Sequence, residues 1–163
     1  MFWLIAGVAM AARGDVATRD GLRYWDEQAD RGGTIVVVAD IAAPTERVLD
    51  VIMDVEARWT DVSALRSATV TQSDGPRLDV GYVFHCATGM QHAFDLNYEL
   101  DGEARVVRFA VNPDKPGFFE VMNGSYRVSP TATGGSLLTY TSATQKIDGI
   151  RRRSEEDLGM PRP

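Results

Sequence analysis

The segment at residues 40–59, DIAAPTERVLDVIMDVEARW, turns a strand into a helix with almost no loop between them. The residues that feed it, TIVVVAD at 34–40, are β-branched and read as a strand. Pro44 suits the first position of a helix, where its missing N–H costs nothing, and it biases Ala43 towards an extended backbone. Glu46 falls in the first turn, against the positive end of the helix dipole. Val48, Val51, Ile52, Val55 and Trp59 recur at helical spacing on one face. Asp50, Asp54 and Arg58 fall on the other, with Asp54 and Arg58 four apart as an ion pair. A second short helix is expected over TDVSALRSA, residues 60–68, capped by Thr60 or Asp61.

From about Ala68 to Gln145 the chain reads as strands joined by short turns. SATVTQSD is followed by a break at GPRLDVG, with Gly75, Pro76 and Gly81. YVFHCATG and HAFDLNYELD come next, and Asp101–Gly102 makes a tight hairpin turn into ARVVRFAV. NPDKPG and TATGG are turns around FFEVMNGSYRVSP, and SLLTYTSATQ closes the set. Short connections between successive strands imply an antiparallel meander. His92, Phe94, Leu96, Tyr98 and Leu100 share one face by strand alternation, while Asp95, Asn97 and Glu99 share the other. Tyr82, Phe84 and Cys86 form a similar face. One large apolar face on a curved sheet has to be covered, by helices or by a ligand.

Composition narrows the classes. The 163 residues suit a single domain with a sizeable core, and 44% hydrophobic with 25% charged is a globular balance. A formal charge of −6 argues against a nucleic-acid partner, which calls for a concentrated basic patch. The one basic run, Arg151–Arg153, is followed at once by Glu155, Glu156 and Asp157. Cys86 is alone, so no internal disulfide forms. Residues 1–12, MFWLIAGVAMAA, are too short to span a bilayer, which takes about 20 residues. They fit either a secretory signal, with Ala9 and Ala11 as small residues for cleavage, or an apolar segment packed on the domain. The first choice implies export to the periplasm or medium, the second a cytoplasmic protein. Residues 13–33 are polar and rich in Gly and Asp, and are expected to be an arm or linker with a turn of helix near Tyr24 and Trp25.

The strand, the Ile41-x-Ala43-Pro44 step, Val48, Asp54 and Trp59 on the helix, then Gly124 before Tyr126 and Pro130 before the last hairpin, occur in one order. In this order the chain resembles the START-like, helix-grip (SRPBCC) superfamily over about residues 34–145. That group includes polyketide cyclase/dehydratase-like proteins, coenzyme Q-binding proteins and lipid-transfer domains. The resemblance implies an α+β fold over 34–163. A seven-stranded antiparallel sheet, with two short helices after its first strand, would grip a C-terminal helix around an apolar pocket. Only KIDGIRRRSEEDLGMPRP follows Gln145, so that helix is expected to be shortened, and an open apolar face would favour a homodimer or membrane contact.

Strand parity and the resemblance together nominate the pocket lining: Trp59, Tyr82, Phe84, His92, Phe94, Leu96, Tyr98, Arg108, Glu120, Met122, Tyr126, Leu138 and Tyr140. Arg108 and Glu120 are alternatively a cross-strand ion pair. His85 and Cys86 point to opposite faces of a strand and cannot easily serve one metal ion. No Gly-x-Ser-x-Gly turn and no phosphate loop occur, and no cofactor is expected. The leading expectation is a binding protein for a hydrophobic small molecule such as a lipid, quinone or polyketide-like compound. The alternative is a cyclase or dehydratase with His92 or Glu120 as general acid or base.

Overall fold

A computed structural model describes residues 17–19, 22–29, 32–58, 65–85, 90–115 and 117–146. The strands are β1 (Ala17–Arg19), β2 (Leu22–Ala29), β3 (Gly32–Ile41), β4 (Leu65–Asp74), β5 (Arg77–His85), β6 (Gln91–Asp101), β7 (Val106–Val111), β8 (Phe119–Pro130) and β9 (Ser136–Lys146). Among the described residues two helices, α1 (Thr45–Met53) and α2 (Val55–Arg58), lie between β3 and β4. All nine strands form one antiparallel sheet in the order β1-β2-β3-β9-β8-β7-β6-β5-β4. The meander from β4 to β9 is as expected, and its last strand returns to pair with β3.

Two strands more than seven are present, and both come from the expected arm. Tyr24 and Trp25 lie in a strand rather than a turn of helix, and β2 pairs with β3 from Leu22↔Ala39 to Ala29↔Gly32. The cause is the free edge of β3, whose backbone donors and acceptors need partners. Gly32 lets β3 begin tight against β9: a Cβ there would strike the Thr144 carbonyl.

The strand-to-helix step forms with one shift. Pro44 is the N-cap, and Thr45 begins α1. Val48, Leu49 and Ile52 are buried, while Val51 is 43% exposed, so Leu49 takes the place expected of Val51. The start of β9 secures the joint, because the fully buried Ser136 hydroxyl donates to the Ala43 carbonyl at 2.7 Å. The first expected helix is broken at Asp54, its last turn forming α2 (Val55–Arg58); of the second expected helix, residues 60–64 lie outside the described residues and Leu65–Ala68 belong to β4. β5 runs through Gly81 without a break. Gly75, at φ +56°, makes the turn instead, where a side chain would be strained. Trp59, Cys86, residues 1–12 and the expected C-terminal helix lie outside the described residues.

The core lies between the helices and one half of the sheet. Val48, Leu49, Ile52 and Val55 pack on Val80, Tyr82, Phe94, Leu96, Tyr98, Val107, Phe109 and Val128. Each buried branched or aromatic side chain contributes roughly 1.5–3 kcal/mol.

Candidate functional site

The concave face is divided in two. α1 packs on β7 and β8, and α2 on β4. Beside the helices, β3, β9 and β8, which α1 also touches, bring Val37, Met122, Tyr126, Leu138 and Tyr140 to the same face, each only half-buried and all but Val37 packed at the margin of the core. Leu22 and Ile35 sit there too, 42% and 38% exposed.

A group of tyrosines marks the boundary. Phe109 lies among Tyr98, Tyr126 and Tyr140, with ring centroids 5.8, 5.6 and 6.0 Å away. Tyr126 and Tyr140 are cross-strand partners at 4.8 Å. The glycine opposite Phe109 makes room for its ring: a Cβ on Gly124 would stand 2.6 Å from Phe109 Cζ and would also meet the Thr141 carbonyl. Tyr82 and Tyr98 are buried and share a 2.7 Å hydrogen bond between hydroxyls. Burial pushes the pKa of both upwards, that of Tyr98 far above the usual phenol value. Tyr140 is also pushed up by burial, with Ser142 pulling the other way.

Arg58 joins this group, and sequence reasoning placed it on the outer face. α1 stops at Asp54, whose ψ of 68° leaves the helical region. α2 then restarts with the Asp54 carboxylate accepting from the Ala57 N–H at 3.4 Å, a capping arrangement. The restart changes the helical phase and turns Arg58 inward, so no Asp54–Arg58 pair forms. Its guanidinium carbon lies 5.6 Å from the centre of the Tyr126 ring. Burial works against its charge, but Tyr126 foremost, then Tyr98 and Tyr82, favour the charge by more, and its pKa is raised. Arg58 Nε is buried without a hydrogen-bond partner. The abrupt VIMDVEAR sequence, with Asp inside an apolar run, is the signal that could have located the break.

Tyr82, Phe84, His92, Phe94, Leu96, Tyr98, Met122, Tyr126, Leu138 and Tyr140 all face the concave side, as expected. His92 sits at one end of it, its ring 4.4 Å from Phe118 and 5.5 Å from Phe84. Phe118 and Phe119, both missed from sequence, complete that aromatic cluster with Phe84 and Phe94.

Arg108 and Glu120 do not join the site. Arg108 is exposed between the buried Val107 and Phe109, and pairs with Asp101 at 3.6 Å rather than with Glu120. Glu120 is exposed at a β-bulge, where Phe119 pairs with Lys146 and Val121 with Gln145. The extra residue breaks simple alternation, and Phe119 takes the inward position that parity gave to Glu120. Among the described residues no group of three or more His, Cys, Asp or Glu side chains could hold a metal.

No family model and no curated protein matches the sequence. Solved structures do match. A STAR-related lipid transfer protein from Xanthomonas axonopodis aligns with a TM-score of 0.65 at 12% identity, over 88% of this chain and 89% of that one. Human STARD10 aligns with a TM-score of 0.64 at 16% identity, over 93% and 70%. The Zhui aromatase/cyclase from Streptomyces sp. R1128 gives 0.60 at 16% identity, over 77% and 69%. The curved antiparallel sheet with two short helices after β3 is therefore a START-like, SRPBCC-type fold. At these identities the likeness is one of architecture.

Proposed function

We propose that the protein binds a hydrophobic small molecule, such as a lipid, quinone or polyketide-like compound, against the open half of the concave face. The observation that carries this reading is the wall of half-buried Met122, Tyr126, Leu138 and Tyr140, which the described helices leave beside the closed core. Apolar surface of this kind gains affinity by leaving water, and a few polar groups at its border orient what binds. That structural neighbours are named as a lipid transfer protein and an aromatase/cyclase supports the same reading.

The enzymatic alternative rests on His92, since Glu120 stands outside. His92 is packed between Phe84 and Phe118, a setting that suits aromatic packing better than proton transfer. The test is native mass spectrometry of gently purified protein, with organic extraction and a Nile red titration. A co-purifying apolar compound, or saturable Nile red fluorescence that the extract displaces, is expected. An empty protein that does not bind Nile red would overturn the reading.

A further inference from the structure

We infer that the polar end of the bound molecule is a carboxylate, held by Arg58; the inference rests on the pocket proposed above. A guanidinium is charged at every relevant pH. Among the described residues no carboxylate forms an ion pair with Arg58, although the chain carries 23 acidic residues against 17 basic ones. Arg58 is half-buried, but its Nε is buried, and a buried donor normally has an acceptor, yet Arg58 Nε has none. Tyr126 eases the charge through its ring and a side-chain hydrogen bond to the guanidinium, but the Nε–H stays unmet.

The geometry of the missing acceptor follows from the donors. The Nε edge of an arginine, taken with one terminal nitrogen, matches the two oxygens of a carboxylate. In the Tyr82–Tyr98 pair one hydroxyl proton is spent on the other oxygen, so the second hydroxyl keeps its proton free to donate. Both phenols stay neutral at ordinary pH, because burial raises their pKa. The boundary of the pocket thus offers donors and a single positive charge. A monoanion balances that charge, whereas a phosphate dianion would bring a surplus into an apolar wall.

The test compares dodecanoate with 1-dodecanol, of equal chain length, titrated below their aggregation limits into the full chain. Wild type is expected to bind the acid about tenfold or more tighter than the alcohol, the least a charge-assisted contact gives. Arg58→Met should reduce acid binding to the level of the alcohol and leave the alcohol unchanged. Arg58→Lys should retain part of the preference, since it keeps the charge and loses the fork. Thermal melts confirm that each variant is folded, and the wild-type comparison needs no variant. Equal affinities in wild type, or a preference that survives Arg58→Met, would overturn the carboxylate and leave the pocket standing. Failure of both molecules to bind would overturn both the carboxylate and the pocket.

Discussion

Tyr82 and Tyr98 illustrate how single groups set the character of the site. Their hydroxyls are buried and share one hydrogen bond at 2.7 Å. Replacing one with phenylalanine leaves the other without its partner, and a stranded buried hydroxyl costs about 1–3 kcal/mol. Replacing both removes two polar groups at once. Urea denaturation of Tyr82→Phe, Tyr98→Phe and the double variant should therefore show a double loss well below the sum of the singles; simple additivity would mean that the hydroxyls act independently. The same burial predicts the alkaline limit. Tyr82, Tyr98 and Tyr140 have folded-state pKa values raised above the unfolded value of about 10. Their contribution to stability is complete below that pH and is lost as pH rises through the folded values. In a spectroscopic titration at 295 nm these three should ionise only with unfolding, above about pH 10; their ionisation in the folded chain at ordinary phenol pH would refute their burial. These tyrosines were legible in the sequence, because strand alternation places them. Arg58 was not, because its direction depends on a helix break that periodicity alone reads through.

At the scale of elements, one turn of helix and one glycine position the site. Asp54 caps α2 through the Ala57 N–H, and α2 carries Arg58. Asp54→Ala should cost about 0.5–2 kcal/mol of stability and weaken acid binding more than alcohol binding, while Asp54→Asn, an equally good cap, should restore both. Equal weakening of acid and alcohol would show that the cap supports only the fold. Gly124 lies under Phe109, and Gly124→Ala forces its new Cβ against the ring and the Thr141 carbonyl. Overpacking of this kind costs about 1–3 kcal/mol, and a fall in the urea midpoint is its measure; an unchanged midpoint would mean that β7 and β8 can part freely. The elements themselves were mostly readable, since Pro44, the β-branched runs and the Gly/Pro turns each act locally. The bulge at Glu120 was not readable, because the pairing of Phe119 with Lys146 is fixed by a strand that comes later in the chain. The two added strands escaped for a related reason: what makes β2 a strand is the open edge of β3, a property of the assembled sheet.

Across the whole molecule, the buried core and the proposed binding surface lie on different parts of one sheet. The buried cluster draws on α1, α2 and β4 to β8, with Ile41 of β3 packed against it. The half that presents Leu22, Ile35, Val37 and Tyr140 has buried Ala39, Ser136 and Ser142, but most of its other described side chains are exposed or half-buried. Local opening free energy follows the density of buried apolar contacts. Amide exchange should accordingly be slowest in β5 to β8 and at least about tenfold faster in β1 and β2. A molecule bound on the open half adds the missing contacts where they are fewest, so dodecanoate should slow exchange chiefly in β3, β8 and β9. At a hundred times its Kd it should also stabilise the fold by about 2.7 kcal/mol. Uniform slowing across the sheet would mean that the ligand acts through global stability, as it would if it sat within the closed core. Protection confined to β4 and β5 would place it beside α2 and Tyr82, away from the half-buried face of β3 and β9. The local pattern is expected because the half of the sheet that can admit a ligand is the half that the core does not already hold together.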